Sequence, residues 1–196
     1  MVKDWIFYPL AGLIGLAMIG IALSFAETTD LSDKTIWENG YVMEGTDLSR
    51  LTAQPGTQAN FNAALGGEPA FARLNSTSAR ANLPMGPGVF APIGPEYERA
   101  FANCRLRLTI TARPSRINPL SGFDMAYWTI GSRNTGWVPK TLEPGWNDYV
   151  LEFNPGPLKT APDLDYFSIW PGLTAEPLSM DVMRMRIEVL ETPEKN

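Results

Sequence analysis

The chain has 196 residues and is acidic, with 21 Asp and Glu against 16 Lys and Arg and a net charge of −5. This charge argues against nucleic acid as the partner, because proteins that bind nucleic acid present a basic surface. The sequence contains no histidine and one cysteine, which excludes catalytic systems and metal sites built on imidazole as well as an intramolecular disulfide. We therefore expect no cofactor, no metal site and no catalysis. An enzyme that uses two carboxylates is the remaining catalytic alternative, but the spacing of the acidic residues selects no pair.

Residues 5–26 form an uninterrupted uncharged run, WIFYPLAGLIGLAMIGIALSFA. A bilayer core is about 30 Å thick and is crossed by about 20 apolar residues in helical form. We therefore interpret the run as a transmembrane helix that remains in the mature protein. A cleavable signal peptide is the alternative, since Ser24-Phe25-Ala26 could be a cleavage site before Glu27. The apolar part of a signal peptide is usually only about 7 to 15 residues long, which favours the membrane helix.

The flanks of this run predict its orientation. Lys3 precedes it, whereas Glu27, Asp30 and Asp33 follow it, so the positive-inside rule keeps the N-terminus in the cytoplasm. Residues 1–4 are then cytoplasmic, residues 27–33 are a linker, and residues 34–196 are an extracytoplasmic domain. In a Gram-negative bacterium, this predicts a single-pass protein of the inner membrane with a periplasmic domain.

Small residues within the predicted helix are unevenly distributed. Ala11, Gly15 and Ala22 fall near one stripe, and Gly12 and Gly20 lie near its edge. Such a stripe lets another helix approach closely, which predicts packing within a membrane complex. The alternative is that Gly and Ala are simply common in membrane helices.

The beginning of the domain gives weaker signals. A first strand is predicted at residues 35–42. Residues 53–94 are rich in Gly, Pro, Asn, Ala and Ser, with one short strand predicted at residues 70–75. Because this stretch is long for a loop, it either wraps the domain or forms an arm that becomes ordered on a partner.

The clearest strand is predicted at residues 104–113. Cys104, Leu106, Leu108, Ile110 and Ala112 alternate there with arginines and threonines. Period-two alternation with apolar residues on one side is typical of a half-buried strand. The pattern places Cys104 on the apolar side, so we interpret it as a core residue and not as a reactive thiol.

A second clear strand is predicted at residues 181–190, and shorter ones at residues 123–131, 147–154 and 166–170. In the last strand the alternation assigns one face to Asp181, Met183, Met185, Ile187 and Val189. The 17 prolines and 17 glycines indicate many turns, and no convincing amphipathic helix separates the strands. The domain is therefore predicted to be an all-β, antiparallel β-sandwich.

Three segments near the end of the chain resemble a known family. The segments Pro144-Gly145-Trp146-Asn147-Asp148-Tyr149, Asp165-Tyr166-Phe167-Ser168-Ile169-Trp170-Pro171 and Leu178-Ser179-Met180-Asp181 are similar to the C-terminal half of galactose-binding-like jelly rolls, a fold that includes carbohydrate-binding modules. The resemblance covers residues 105–190. It implies a jelly-roll β-sandwich used for binding, frequently of sugars, and no catalysis. It assigns no binding residues, and the calcium-site pattern of many members is not evident.

Arginines are grouped on the outward sides of the two clearest strands. Were these strands neighbours in a sheet, the arginines would form a basic patch for an acidic partner, lipid headgroups or an anionic glycan. The alternative is an ordinary solvated face, paired with Glu98, Glu152 and Glu188. The arginines are Arg105, Arg107 and Arg113 on the first strand and Arg184 and Arg186 on the second.

Aromatic residues are concentrated within residues 123–170. Their rings could stack on sugars or form a protein interface, although the alternation buries most of them. We expect Tyr149 to be in the core and Trp137, in a segment rich in turns, to be the best exposed candidate for contact with a partner or glycan. The other aromatic candidates are Tyr127, Trp128, Trp146, Tyr166 and Trp170.

Two functional hypotheses follow from these predictions. The first is a non-catalytic accessory or scaffolding subunit of a membrane protein complex, for example a respiratory or photosynthetic one, whose β-sandwich braces the periplasmic surface. The second is a membrane-tethered carbohydrate-binding module. The first predicts stoichiometric co-purification with other subunits, and the second predicts an exposed aromatic surface that binds polysaccharide.

Overall fold

The computed structural model describes residues 32–82, 86–129, 133–159, 161–172 and 177–193. These residues belong to one unit of the chain, Ser32–Asn196. The predicted membrane helix at residues 5–26 and its small-residue stripe lie outside the described residues. Within the described ranges, no helix has the length and apolar character needed to cross a membrane.

Two antiparallel β-sheets enclose the core of the described domain. One has six strands in the order β3-β4-β11-β6-β9, with β1 also paired to β11, and the other has five in the order β2-β5-β10-β7-β8. The predicted all-β antiparallel sandwich is therefore confirmed. The strands are β1 (Tyr41–Glu44), β2 (Thr52–Ala53), β3 (Thr57–Asn62), β4 (Phe71–Ser76), β5 (Val89–Ile93), β6 (Arg105–Pro114), β7 (Gly122–Trp128), β8 (Val138–Thr141), β9 (Asn147–Phe153), β10 (Asp165–Trp170) and β11 (Ser179–Glu191).

Strand β6 lies between β11 and β9 in the six-stranded sheet and has the predicted alternation. Leu106, Leu108 and Ile110 are fully buried, and burial of such side chains stabilises a fold by about 1.5–3 kcal/mol each. Cys104 is buried just before the strand, and its thiol donates to the carbonyl oxygen of Ala100 at 3.2 Å. Burial raises the pKa of Cys104 to about 11, so the thiol stays protonated at neutral pH. Its interpretation as a core residue is confirmed.

Residues 35–42 were predicted as a strand, and this prediction is wrong. Helix α1 (Asp33–Asn39) occupies most of the segment, and the side chain of Ser32 accepts from its first turn. Gly40 ends the helix with a φ of 67°, and a Cβ there would lie 2.1 Å from the carbonyl oxygen of Ile187. Trp37 holds the helix in place. Its indole N–H donates to the carbonyl oxygen of Ala100 at 2.6 Å, and Ala100 belongs to the second helix, α2 (Pro95–Phe101). Strand β1 starts only after the glycine.

Residues 53–94 are neither a wrapping loop nor a partner-binding arm, because they contribute strands to both sheets. Strands β3 and β4 form an edge of the six-stranded sheet, and β5 pairs with β10 in the other. The short strand predicted at residues 70–75 corresponds to β4. The strands of this region are at most six residues long, and their inward side chains mix small residues such as Ala72 and Ala91 with larger ones such as Leu74, so their alternation is weak in the sequence.

Strand β11 has the predicted inward face from Met185 onward, where Met185 and Ile187 are buried, but a different phase before that residue. Its pairing with β6 skips Met183 between Val182 and Arg184, which is a β-bulge. Val182 and Met185 therefore both point into the core, and Asp181 does not share their face. Its carboxylate is instead held by Arg73 at 2.8 Å and Arg113 at 3.2 Å.

Candidate functional site

The outer face of the five-stranded sheet carries large aromatic side chains. The alternation of β5 places Val89, Ala91 and Ile93 in the core and turns Phe90 outward. The same alternation turns Tyr166 of β10 and Trp128 of β7 outward, because their neighbours Phe167 and Tyr127 are core residues. The strands alternate with period two, so their core residues lie on the inner face of the sheet and these aromatic side chains lie on the outer face.

Four half-buried rings lie in a row across this face, which we call the aromatic band: Phe90, Tyr166, Trp128 and Trp137. Phe90 and Tyr166 meet edge to face at 5.0 Å between ring centroids, and Trp128 and Trp137 meet at 5.6 Å. Tyr166 lies opposite Trp128 in the pairing of β10 with β7, which joins the two halves. Because neighbouring strands are about 4.8 Å apart, a row over four strands is about 14 Å long.

An ion pair lies beside the Trp137 end of the aromatic band. Arg80 binds Asp124 with 2.8 Å between Nε and Oδ2, and its guanidinium lies 5.9 Å from the Trp137 ring centroid. Burial raises the pKa of the Asp124 carboxyl, although the charge of Arg80 acts in the opposite direction. Trp170 packs behind the band, with its ring 6.1 Å from that of Trp137. The ion pair thus places no net charge next to the aromatic rings.

Several polar atoms of this face have unused hydrogen-bonding capacity. Within the described residues, the indole N–H groups of Trp128, Trp137 and Trp170 and the hydroxyl of Ser168 are buried without a hydrogen-bond partner. Buried polar groups normally have a partner in the protein or in ordered water. Because these groups are buried, water or a ligand hydroxyl on the face reaches them only after side chains move.

A groove of about 610 Å³ is lined by residues of β7 and β8 and shares Asp124 with the ion pair beside the band. Asp124, Pro139 and Thr141 line it, together with Gly122, Leu120 and Gly172. Lys140 also lies at the groove, but its ammonium group donates to the carbonyl oxygen of Val150 on β9 at 2.7 Å.

The structure brings Trp137 together with Trp128 and Trp170, two of the other aromatic candidates named from the sequence. Trp137 is half-buried and not freely exposed. Tyr149 is in the core as predicted. Trp146 lies elsewhere, against Arg113 at 4.3 Å, on the side of the domain formed by the six-stranded sheet.

The predicted arginine patch lies on the six-stranded sheet, on neighbouring strands β6 and β11. Arg105 and Arg107 both bind Glu152, at 2.8 Å and 2.7 Å, and hydrogen bonds from Arg107 and Arg105 lower the pKa of that carboxyl. Arg186 pairs with Glu188 at 3.0 Å. Among the described residues Arg184 has no ion-pair partner, and Glu98 is buried in the interior instead of pairing with this face. Partner binding by these arginines stays a prediction, and most of their charge is already compensated.

The sequence analysis did not identify three residues of this face: Phe90, Ser168 and Arg80. The alternation of Val89-Phe90-Ala91-Pro92-Ile93 could have identified β5 and an outward Phe90. No local signal identifies Arg80, because its contact with Asp124 joins distant parts of the chain. In the described part of the chain, no cluster of three or more His, Cys, Asp or Glu side chains is arranged to hold a metal ion.

No family model and no curated protein matches the chain. Solved structures do match. The C-terminal family 22 carbohydrate binding module of Clostridium thermocellum Xyn10B is 14% identical, with a TM-score of 0.53 over 80% of this chain and 96% of that one. The CBM22-2 xylan-binding domain of Paenibacillus barcinonensis Xyn10C is 10% identical, with a TM-score of 0.51 over 76% and 98%. The resemblance to galactose-binding-like jelly rolls is confirmed, and the chain has the fold of these carbohydrate-binding modules.

Proposed function

We propose that the described domain is a non-catalytic carbohydrate-binding module and that the aromatic band is its binding surface. The observation that carries the proposal is the row of four half-buried rings across one sheet face. Aromatic side chains combine a large apolar surface with polar edges, which suits the alternating apolar faces and hydroxyl groups of sugars. The fold shared with carbohydrate-binding modules supports this assignment.

The band accounts for how a glycan chain would be held. Its length of about 14 Å accommodates several linked sugar rings laid across the strands. The rings of Trp128 and Trp137 would stack on sugar faces, while their unpartnered N–H groups would donate to hydroxyl oxygens after small side-chain rotations. Because Arg80 neutralises Asp124, the surface favours a neutral glycan over a strongly charged one. The match to a xylan-binding domain makes xylan the first ligand to test.

The test compares two tryptophans on different sides of the domain. Binding of soluble xylan and of a soluble β-glucan by the full chain in detergent is measured by isothermal titration calorimetry. Trp137→Ala should weaken binding by about 30-fold, which corresponds to the 2 kcal/mol or more typical of an aromatic anchor. Trp146→Ala is the matched control and should leave the affinity unchanged, since Trp146 lies away from the band. Equal losses in the two variants, or no polysaccharide binding at all, would overturn the proposal.

We further propose that residues 5–26 tether this module to a bacterial inner membrane, with the N-terminus in the cytoplasm and the module in the periplasm. The length of the apolar run and the charges on its flanks support the tether. The comparisons favour the carbohydrate-binding hypothesis over the accessory-subunit hypothesis, because the matched structures are named as binding modules. No comparison supports a role as a subunit of a respiratory or photosynthetic complex.

A further inference from the structure

Two buried carboxyl groups lie behind the aromatic band. Asp165 at the start of β10 is 2% exposed, and Glu98 on α2 is 3% exposed. The hydroxyl of Tyr127 donates to Asp165 Oδ2 at 2.5 Å. The hydroxyl of Thr129 donates to Glu98 Oε1 at 2.8 Å, and the backbone N–H of Asp163 donates to Glu98 Oε2 at 2.5 Å. These contacts fix both carboxyl groups in the interior.

The hydroxyls that hold the two carboxyl groups belong to Tyr127 and Thr129, which are two residues apart along the chain. Asp165 Oδ1 is buried with no hydrogen-bond partner among the described residues. A hydrogen bond between this oxygen and Glu98 would require one of the two carboxyl groups to hold a proton, since a carboxylate is an acceptor alone. The described groups that act on Asp165 are Tyr127 of β7, Thr129 beyond it and Glu98 of α2, and none of them is a cation. Two like charges in a buried site without a cation strongly disfavour ionisation of both groups.

The titration of Asp165 agrees with this geometry. Burial raises the pKa of Asp165 to about 7, the negative charge of Glu98 acts in the same direction, and hydrogen bonds from Tyr127 and Thr129 partly oppose the shift. Tyr127 keeps its proton, because burial raises the pKa of its hydroxyl well above the usual value. Asp165 therefore keeps its proton up to about pH 7.

The acid pair is joined directly to the middle of the aromatic band. Asp165 immediately precedes Tyr166, and Thr129 immediately follows Trp128. Tyr166 and Trp128 lie opposite each other where β10 pairs with β7. Repulsion between the two carboxylates therefore acts at the strand ends that position these two rings.

We propose that Glu98 and Asp165 share one proton and that its loss weakens ligand binding by the aromatic band. This inference rests on the proposed function. The folded protein keeps the proton to a higher pH than the unfolded chain, where an aspartate loses it near pH 4. The resulting stabilisation is fully present below about pH 4 and is lost as the pH rises from there to about 7. Ligand binding and protonation then reinforce each other, because such coupling is reciprocal.

The first arm of the test measures urea unfolding of the full chain in detergent between about pH 5 and about pH 8. Asp165→Asn keeps an acceptor for Tyr127 and a donor toward Glu98, so it mimics the protonated pair at every pH. We expect the wild-type midpoint to fall with rising pH and the Asp165→Asn midpoint to change much less and to exceed the wild-type value at high pH. Glu98→Gln removes the like charge, so the pH at which the unfolding midpoint stops falling should be lower than in the wild type. Glu38→Gln, an exposed acid on α1, is the control and should follow the wild type.

The second arm measures the affinity for soluble xylan at the same pH values. Wild type should bind at least about threefold more weakly at the high pH, equivalent to roughly 0.7 kcal/mol, whereas Asp165→Asn should bind equally at both. Parallel unfolding profiles in wild type and Asp165→Asn would overturn the shared proton. A pH-independent wild-type affinity would overturn the coupling to the band. If neither protein bound polysaccharide at any pH, the proposed function and the coupling would fail together, while the unfolding profiles would still decide whether the proton is shared.

Discussion

Replacing Asp181 should destabilise the domain more than replacing any exposed acid on the same sheet. Asp181 is fully buried, and its two carboxylate oxygens are bound by Arg73 and Arg113. Those arginine side chains are only 32% and 12% exposed. Asp181→Ala would leave both guanidinium groups near the sheet without this partner, although Glu68 still pairs with Arg113 at 3.1 Å.

The magnitude follows from burial. Breaking a buried ion pair by removing one partner costs about 3–5 kcal/mol, and the partial exposure of Arg73 places this case near the lower end, at about 3 kcal/mol. With a urea m value of about 2 kcal/mol/M, the unfolding midpoint should fall by about 1.5 M. Asp181→Asn keeps an oxygen acceptor and should cost less than Asp181→Ala.

Glu152→Ala is the matched comparison, because Glu152 also binds two arginines on the six-stranded sheet but is partly exposed. Exposed ion pairs contribute about 0–1 kcal/mol, so this variant should shift the midpoint by less than about 0.5 M. Equilibrium urea unfolding followed by tryptophan fluorescence measures both variants. A loss for Asp181→Ala no larger than that for Glu152→Ala would refute the argument from burial.

Three further predictions concern other parts of the chain. Gly40→Ala should lower the urea midpoint by about 1 M or more, because φ is positive there and the new Cβ would collide with the carbonyl of Ile187; an unchanged midpoint would contradict the geometry. Cys104 should resist a thiol reagent in native buffer and react once the domain is unfolded in denaturant, since it is buried with a raised pKa; rapid native labelling would show that the site is open. Residues 5–26 should keep the protein in the membrane fraction after alkaline carbonate extraction, and a mature N-terminus at Glu27 would favour the signal-peptide alternative.

Strands with strong alternation could be predicted from the sequence. In β6 the buried residues are large and consecutive along one face, so burial alone determines both the strand and its inward side. Strand β10 has aromatic and branched residues typical of strands and was predicted for a similar reason. Strand β5 does alternate, but it has only five residues, buries the small Ala91 and contains Pro92, so its signal is weaker than that of β6.

The inward face of β11 before Met185 could not be predicted from the local sequence, because the bulge depends on which strands pair with β11. Strand β4 pairs with β11 up to Val182, and β1 pairs with it from Arg184 onward. The skipped Met183 lies where the partner changes. Helix α1, in contrast, has local signals in the sequence, since Ser32 and Gly40 are residue types typical of a helix start and a helix end. The apolar residues between them nevertheless favoured the prediction of a strand.

The candidate site could be predicted only in part, because it also depends on which strands pair. Trp137 could be selected from composition and its turn-rich surroundings. The aromatic band requires four strands to lie side by side in the order β5-β10-β7-β8, which is not their order along the chain. Phe90 and Trp137 belong to one surface only because of these pairings between distant segments.

The hydrogen bond from Lys140 to Val150 bears on how the domain avoids unwanted association. It joins β8 to β9, strands at the edges of their respective sheets. An edge strand with unpaired carbonyl groups is a template for a strand of another molecule. Because the Lys140 ammonium group occupies the Val150 carbonyl, that carbonyl does not offer itself to an added strand, and a charged side chain lies where such a strand would approach.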